Sequence, residues 1–459
     1  MTYLCSANLK CISMNTPNLF DYATSELSQD AFLLWLLKWG DNSFADADKG
    51  LNAISKKVIR CMLEADEKFE VKTVEVYKQM EKIDVFAIVN NTHAIIIEDK
   101  TNTSEHSKQI ARYTDYIKST YPNLVLKCVY YKSGNECVQS LRNTANKFHE
   151  AHPDVAALKI LSRRELLDLL KSEESSNIIL NSYIDKLQRL EDSTNSYLSL
   201  PVDKWSWRAW QGFYMALEET GLTFNKEENF GWGAVPQKDG GFQGCWFSFL
   251  PLPELDQSRL YIQIEGYPND IENTKVCFKI SNIAANQGSV RQEWSRKVIS
   301  LAHERGYDGI KKPTRFGKGK YMTVACISGK EFFGEGIIDF QKITDLLYDY
   351  RYIVKTLTRR TIRIYEKPFM VKSLSKEAVC YFLIEFKRKG RLNGFYKAQH
   401  IIADANVHQD ENGYWIGSIE GTWDIDKAER VWEWEYAMRD FHSIYIDGQQ
   451  YEIVFLDFE

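Results

Sequence analysis

The chain has little of what marks several protein classes. Only 10 of its 459 residues are proline, and its nine cysteines are odd in number and never spaced as C-x-x-C. This usage argues against a disulfide framework or a zinc ribbon and favours reduced thiols. The longest apolar run, residues 31–37, is far shorter than the roughly 20 residues that span a bilayer. We therefore expect a cytoplasmic protein that makes no contact with a membrane.

An excess of positive charge is also missing. The 58 Lys and Arg residues are outnumbered by 63 Asp and Glu residues, which gives a formal net charge of −5. This balance excludes a uniformly basic DNA-coating protein, although a local basic groove remains compatible with it. The chain also lacks a P-loop, a dinucleotide-binding glycine motif, a nucleophile elbow and an H-E-x-x-H helix. It therefore carries no ATPase motor of a recognisable kind.

Tryptophan usage and polar stretches predict the domain organisation. Two of the twelve tryptophans precede residue 200 and ten follow it, and the polar stretch 191–201 interrupts a helical pattern. A weaker boundary lies at Lys367-Pro368. We predict a first domain over residues 1–195 and an aromatic-rich α+β accessory region over 196–368. A C-terminal α+β region over 369–459 is either separate or continuous with the accessory region.

Hydrophobic periodicity predicts that the first domain mixes helices and strands. Helices are expected at 21–39, 51–63, 104–119 and 162–171, and strands at 71–77, 83–89, 93–98, 124–131 and 157–161. Ser162 and Glu165 have the spacing of a capping box at the start of the last helix. The order of helices, a three-strand meander, a helix, two strands and a helix predicts an α/β sandwich. In the accessory region the pattern predicts helices at 203–219, 289–305 and 341–358 and strands at 260–265 and 275–280, and in the C-terminal region it predicts strands at 379–386 and 452–458.

Residues 83–100 form the most informative segment. They read as a hairpin of two almost wholly apolar strands, which is typical of strands buried on both faces. Asp84 opens the first strand, and Glu98, Asp99 and Lys100 close the second. Because side chains alternate with period 2, Glu98 and Lys100 share one face and Asp99 points to the other.

The length of the hairpin loop decides whether Asp84 joins that face. A three-residue loop, Asn90 to Thr92, pairs Val89 with His93 and places Asp84 opposite Glu98. A two-residue loop instead pairs Asp84 with Ile97. We predict the three-residue loop, because such loops often contain a residue in the left-handed conformation and asparagine tolerates it.

Two carboxylates and an ammonium at the end of an apolar sheet favour metal chemistry. Two carboxylates repel each other unless a cation lies between them, and Mg²⁺ prefers oxygen ligands of this kind. The metal would neutralise a phosphodiester, and Lys100 beside it could orient or deprotonate the attacking water. A neighbouring cation lowers the pKa of a lysine, which suits that role.

The arrangement D-(x)n-E-x-K, followed by a helix carrying Gln109-x-x-x-Tyr113, resembles the PD-(D/E)XK nuclease superfamily. It is most similar to the branch with a Gln-x-x-x-Tyr helix, as in RecB-like nucleases. The segments IIIEDKTNTSEHSKQIARY and TSELSQDAF resemble bacterial members of this superfamily. The likeness covers residues 20–190, which is under half of the chain. Ile83 departs from the proline of the family name, at a position that varies within the family.

The resemblance implies a restriction-endonuclease-like α/β/α core that cuts phosphodiester bonds with Mg²⁺, for which Mn²⁺ can substitute. It implies a role for each matching residue. The metal ligands are Asp84, Glu98 and, through its carbonyl, Asp99; the catalytic lysine is Lys100; Glu26 reaches the metal through water; Gln109 and Tyr113 contact the nucleic acid or brace the site.

We therefore hypothesise a Mg²⁺-dependent nuclease that acts on DNA in preference to RNA. The alternative is a catalytically idle module on a nuclease fold that binds nucleic acid or protein, as part of a bacterial defence system. A homo-oligomer or a defence-system partner is compatible with either hypothesis. Each residue also has a structural alternative. Asp84, Glu98 and Lys100 could form an ion-pair cluster, and Asp99 could be a surface acid. Glu26 could favour a helix N-terminus, and Gln109 and Tyr113 could simply pack together.

Three basic runs after residue 300 are candidates for backbone contacts with nucleic acid: residues 311–320, 359–363 and 387–391. Solubilising surface loops would have the same composition.

Overall fold

The computed structural model describes most of the chain up to residue 358 and shorter segments beyond it. The described residues are 17–78, 80–101, 109–220, 222, 230–237, 240–252, 258–281, 287–314, 321–358, 369–373, 375–376, 379, 396–397, 407–419, 422–423, 443–446, 449–452 and 454–456.

A first unit contains seven helices and five strands among the described residues. In chain order they are α1 (Leu19–Tyr22), α2 (Glu26–Lys38), α3 (Lys49–Leu63), β1 (Val74–Lys78), β2 (Val85–Val89), β3 (His93–Lys100), α4 (Gln109–Thr120), β4 (Val125–Lys132), α5 (Val138–Ala151), β5 (Lys159–Ser162), α6 (Arg163–Leu170) and α7 (Ile178–Asn195).

The five strands form one mixed sheet in the order β1-β2-β3-β4-β5. The first three strands are antiparallel, and β3, β4 and β5 run parallel. One apolar core packs α1, α2, α3, α6 and α7 on one face, and a smaller core packs α4 and α5 on the other. The sheet is buried on both sides, as the apolar hairpin predicts, and the α/β prediction for the first unit is confirmed.

Two helices of this unit are missing from the sequence prediction. Helix α5 buries only Phe148, and most of its other residues are polar, so few apolar residues mark it in the sequence. Helix α7 buries Leu180, Tyr183, Leu187 and Thr194 and continues through the polar residues 191–195. The sequence pattern predicts a boundary at these polar residues because the last turns of α7 bury few apolar side chains.

The local start signals are borne out in part. Ser162 Oγ accepts a hydrogen bond from the Glu165 amide at 3.2 Å, as expected at the start of α6. The single helix expected over 21–39 is instead two helices, because residues 23–25 between α1 and α2 are not helical, and Ser25 precedes α2 in the extended conformation without a side-chain cap.

A second unit has its own sheet, in the order β10-β9-β8-β7-β6. Its main elements are α8 (Trp207–Glu219), β6 (Gly231–Val235), β7 (Phe242–Pro251), β8 (Arg259–Tyr267), β9 (Asp270–Ser281), α9 (Gln287–Glu304), β10 (Met322–Ser328), α10 (Gly329–Phe333) and α11 (Phe340–Thr358). The helices pack on the sheet through a core that includes buried Trp205, Trp210 and Trp294. The tryptophans are therefore mainly core residues here.

Beyond residue 358 the described segments are short strands. They are β11 (Phe369–Ser373), β12 (Tyr396–Lys397), β13 (Val407–Gln409), β14 (Trp415–Ile419), β15 (Thr422–Trp423), β16 (Ser443–Ile446), β17 (Gln449–Glu452) and β18 (Val454–Leu456). Most of the strand expected at 379–386 lies outside the described residues. Within the described part of the chain, none of the helices has the length and apolar character needed to cross a membrane.

The two units meet where α8 packs against α7. Gly212 of α8 lies so close to α7 that a Cβ atom at this position would be 1.9 Å from the Thr194 carbonyl oxygen. Glu218 of α8 accepts hydrogen bonds from the Val138 amide at 3.0 and 3.2 Å, which caps the start of α5. The second unit thus supplies a helix cap to the first.

Candidate active site

The β2–β3 hairpin has the predicted three-residue loop. Val89 pairs with His93, and Asn90 and Asn91 have φ values of 54° and 57°. Asparagine tolerates this left-handed conformation. The Asn90 side chain also holds the loop in place, because it accepts hydrogen bonds from the amides of Lys72 and Thr73. The two-residue alternative is therefore wrong.

This register brings Asp84 to the end of β3. Val85 pairs with Ile97, so Asp84 lies one position further out, beside Glu98. The Asp99 amide donates to Asp84 Oδ2 at 3.3 Å. The two predicted metal-binding carboxylates therefore lie at neighbouring positions at the same end of the hairpin.

Lys100 completes the group. Its Nζ lies 2.5 Å from Glu98 Oε1 and 4.0 Å from Asp84 Oδ2, and it donates to the Asp99 carbonyl at 3.2 Å. The exposed fraction of the side chain is 26% for Asp84, 10% for Lys100 and 0% for Glu98. The structure brings the three side chains together at a partly open edge of the sheet.

Burial shifts the acid–base properties of this group. Burial and then the charge of Asp84 raise the pKa of Glu98 to about 7. Burial also raises the pKa of Asp84, although the charge of Lys100 offsets part of that effect. For Lys100, burial alone would lower the pKa, but the hydrogen bond and charge of Glu98 raise it. Without a metal ion, the ammonium of Lys100 is the cation that balances the carboxylates.

Helix α2 adds Glu26 to the same edge. Glu26 Oε1 accepts a hydrogen bond from the Thr101 amide at 3.0 Å, so this carboxylate is fixed one residue beyond Lys100. A fixed position beside Lys100 agrees with a role near the metal. The helix-dipole alternative requires only that Glu26 lie at the start of α2, and it does not explain the hydrogen bond with the Thr101 amide.

Asp30 is a further acid that the sequence patterns did not single out. It lies one turn after Glu26 on α2 with an exposed fraction of 6%, and its Oδ1 has no hydrogen-bond partner among the described residues. Burial, followed by the charges of Asp84 and Glu26, raises the pKa of Asp30 to about 7. Burial and then, among the neighbouring charges, that of Asp30 raise the pKa of Asp99, so the two carboxyl groups lie near each other. Only the i, i+4 spacing from Glu26 could have indicated Asp30.

The Asp99 side chain points to the opposite face, as the alternation predicts, but it is not a surface acid. It is fully buried, and both of its oxygens accept hydrogen bonds from Gln29 Nε2 at 2.6 and 2.7 Å. Gln29 is held in turn by Tyr183, whose hydroxyl donates to Gln29 Oε1 at 3.0 Å. The alternative in which Asp99 is a surface acid is wrong, because α2 covers this face of the sheet.

Gln109 and Tyr113 lie on the first turns of α4, above the face that carries Glu98. Gln109 Nε2 donates to the Tyr113 hydroxyl at 3.5 Å. Burial and then the charge of Glu98 raise the pKa of Tyr113, so the phenol is close to the acidic group. The pair therefore borders the site.

Lys132 is a second lysine at this edge. In the parallel register of β3 and β4 it lies beside Lys100, and it forms a buried ion pair with Glu136 at 3.2 Å. Burial lowers the pKa of Lys132. The sequence predicted that Lys132 lies at the end of a strand. It did not indicate that this strand pairs with the strand that ends at Lys100.

The basic runs add nothing to this site in the part of the chain that the structure describes. Residues 315–320, 359–363 and 387–391 lie outside it, as do His106 and Lys108. Lys311 is described and lies in the second unit, with its Nζ 3.9 Å from Glu331.

The oxygen atoms at the site fit a hard divalent cation. The ammonium of Lys100 already lies near one oxygen each of Glu98, Asp99 and Asp84, so this position attracts positive charge. Carboxylate and carbonyl oxygens are the ligands that Mg²⁺ prefers. Among the described residues, no three His, Cys, Asp or Glu side chains are already arranged as a metal-ligand group.

Comparison with known proteins gives one match. The family model of the PD-(D/E)XK nuclease superfamily matches residues 17–189, under half of the chain, from just before α1 into α7. No curated protein and no solved structure matches the chain.

Proposed function

We propose that the protein is a Mg²⁺-dependent nuclease that hydrolyses phosphodiester bonds of DNA, because the family model of the PD-(D/E)XK nuclease superfamily matches residues 17–189. The observation that carries this proposal is the convergence of Asp84, Glu98 and Lys100 at the edge of the sheet. Mn²⁺ is the expected substitute, since it accepts the same oxygen ligands.

The carboxylates of Asp84 and Glu98 and the carbonyl of Asp99 would hold the metal, with Glu26 placed near it by the Thr101 amide. When bound, Mg²⁺ would neutralise phosphate charge and increase the acidity of a water molecule beside it. Glu98 must lose its proton to serve as a ligand, and its pKa of about 7 makes that step sensitive to pH near neutrality.

Lys100 would position the attacking water. With a divalent cation held by these carboxylates, the attraction that now keeps the Lys100 ammonium 2.5 Å from Glu98 would weaken. Its pKa would then fall, which lets Lys100 accept a proton from the water as the oxygen attacks phosphorus. The bond from phosphorus to the leaving oxygen breaks as the new bond forms, and the leaving oxygen takes a proton from solvent.

Gln109 and Tyr113 would contact the nucleic acid. Both lie at the start of α4 beside the acidic group, and their amide and hydroxyl offer donors to phosphate or base oxygens. Their mutual hydrogen bond is long at 3.5 Å, so a substrate oxygen can compete for the same donors.

The test is Mg²⁺-dependent cleavage of plasmid DNA, linear DNA and RNA by the full chain. We expect Asp84→Asn and Lys100→Ala to reduce cleavage by about 10³-fold or more, because each removes a group that acts in the transition state. Asp154→Asn is the matched control, since Asp154 is a surface carboxylate that pairs with Lys118.

Cleavage that survives both substitutions would contradict the roles of Asp84 as a metal ligand and of Lys100 as the catalytic lysine. Tight, salt-sensitive binding without cleavage in Mg²⁺ or Mn²⁺ would instead favour the alternative, a nuclease fold that binds without turnover. Stronger cleavage of RNA would overturn the choice of DNA.

A further inference from the structure

A small cleft lies between the two units, at the end of β3 and β4. It has a volume of about 50 Å³, several times the 10–15 Å³ that one water molecule needs. The first unit lines it with Thr101, Ser133, Asn135 and Arg163, and α8 lines it with Arg208 and Gln211. Thr101 follows Lys100 directly, so their Cα atoms are about 3.8 Å apart. The cleft therefore adjoins the candidate active site.

Arg163 is the structural arginine of this cleft. It is buried, and its guanidinium donates to Glu191 at 2.9 Å, to the Ser133 carbonyl at 2.8 Å and to Asn135 at 2.9 Å. Its charge is balanced by Glu191. Arg163 thus fixes the wall of the cleft, and little of its hydrogen-bonding capacity remains for a ligand.

Arg208 differs from Arg163 in having an unbalanced charge. No carboxylate lies within ion-pair distance of it among the described residues, and none of the described residues that line the cleft is acidic. Burial and then the charge of Arg163 lower the pKa of Arg208, which shows that the two guanidinium groups lie near each other. Two neighbouring arginines with one counter-charge leave a net positive cleft.

The neutral donors of the cleft have a defined orientation. Gln211 Oε1 accepts a hydrogen bond from Asn135 Nδ2 at 2.9 Å, which turns the Gln211 amide nitrogen away from Asn135. That nitrogen has no acceptor among the described residues. The Thr101 hydroxyl, which lies 3.1 Å from Ser133 Oγ, is a further donor.

Two close backbone contacts make the cleft rigid. A Cβ atom on Gly134 would lie 1.8 Å from the Thr101 carbonyl oxygen, and one on Gly212 would lie 1.9 Å from the Thr194 carbonyl oxygen. The ends of β3 and β4 and the α7–α8 packing are therefore held at backbone contact. A preformed site of this kind loses little conformational entropy when a ligand binds.

We propose that this cleft binds a phosphate group of the nucleic-acid strand next to the phosphate that is cleaved. Arg208 supplies the charge-assisted hydrogen bonds, and Gln211 and Thr101 supply neutral ones. Arg208 and Gln211 belong to α8, so the second unit acts as part of the substrate-binding surface. The proposal rests on the proposed nuclease function and adds a subsite to it.

The experiment measures binding of the full chain to a labelled oligonucleotide by fluorescence anisotropy, over a series of salt concentrations, with Ca²⁺ in place of Mg²⁺. We expect Arg208→Ala to raise Kd about tenfold. It should also reduce the slope of log K against log salt by about 0.7 to 0.9, the loss of one phosphate contact. Gln211→Glu, which places a carboxylate in the cleft, should raise Kd at least as much. Arg296→Ala is the matched control, because Arg296 is an exposed arginine of the same unit on α9.

Cleavage in Mg²⁺ separates this inference from the proposed function. For Arg208→Ala we expect KM to rise about tenfold while kcat stays within about twofold, since Arg208 contacts a non-reacting phosphate. A wild-type protein that binds the oligonucleotide through Arg208 without cleaving it would contradict the nuclease function and leave the subsite intact. Equal Kd values and salt slopes for Arg208→Ala and Arg296→Ala would overturn the subsite, as would a wild-type protein without affinity for the oligonucleotide.

Inorganic phosphate distinguishes the source of the anion. Loss of inorganic phosphate binding in Arg208→Ala, with unchanged affinity for the oligonucleotide, would identify a site for free phosphate and overturn the nucleic-acid assignment.

Discussion

Buried acids beside Lys100 set the electrostatics of the candidate site. Glu98 and Asp30 both have a pKa raised to about 7, for the same first cause, which is burial away from water. Such a group favours protonation in the folded chain more than in the unfolded chain. The acids therefore lower the stability of the folded protein at neutral pH, which is consistent with a site organised for a cation.

Asp30 allows this cost to be measured. Its pKa rises from 3.8 to about 7 on folding, so its unfavourable contribution begins near pH 4, grows as pH rises to about 7 and is complete above that value. We expect Asp30→Asn to increase the free energy of unfolding by about 2 kcal/mol at pH 8 and to have little effect below pH 4. Urea titrations at pH 4, 6 and 8, without divalent metal, provide the measurement.

Asp154→Asn is the control for that experiment, because Asp154 is exposed and its pKa is lowered by the hydrogen bond with Lys118. A stability difference for Asp30→Asn that is independent of pH would contradict the assignment of the shifted pKa to Asp30.

At the scale of elements, close approach of α8 to α7 fixes the junction that carries the cleft. Helical glycines are usually replaced by alanine with a gain in stability, because alanine restricts the unfolded chain and favours the helix. Gly212 is an exception, since a Cβ atom there would meet the Thr194 carbonyl oxygen.

We expect Gly212→Ala to lower the free energy of unfolding by about 1–3 kcal/mol, the usual cost of overpacking. Gly288→Ala on α9 is the matched control, since its Cβ would have no atom within 4 Å. That control should be neutral or stabilising by about 0.5–1 kcal/mol. Thermal unfolding of both variants provides the comparison, and equal shifts in Tm would contradict the close packing of α7 and α8.

The elements also differ in how far their sequences predicted them. The β2–β3 hairpin was predicted with its register, because the strand period, the apolar strands and the two asparagines agree. Helix α5 was missed, because it lies mostly in solvent and its polar surface hides the apolar stripe.

At the scale of the whole molecule, Glu218 couples the two units. Its carboxylate lies at the N-terminus of α5, where it accepts from the Val138 amide and favours the helix dipole. It also accepts a hydrogen bond from the Trp232 indole at 3.1 Å. One side chain thus joins a strand of the second unit to a helix of the first.

We expect Glu218→Ala to lower the free energy of unfolding by about 1 kcal/mol, as for loss of a helix cap, and to speed amide exchange at the start of α5. Glu219→Ala, an exposed neighbour of the same charge, is the control and should leave that exchange unchanged. Hydrogen exchange read by mass spectrometry provides the measurement. Faster exchange in both variants, or in neither, would contradict the cap.

The sequence by itself determined that Asp84, Glu98 and Lys100 lie together on one face at the end of the β2–β3 hairpin. These residues belong to one hairpin, where a period of 2 and a loop of three residues decide which side chains share a face. The same local rules indicated the helix of Gln109 and Tyr113.

Only the tertiary structure decided what surrounds that group. Asp30 and Gln29 reach β3 because α2 packs across the sheet, and Lys132 reaches Lys100 through a parallel strand pairing. The cleft of Arg208 and Gln211 exists because α8 docks on α7 at Gly212. These contacts join residues about 20 to 110 positions apart in the chain. At such separations side-chain periodicity carries no information, and the packing of complementary surfaces decides which residues meet.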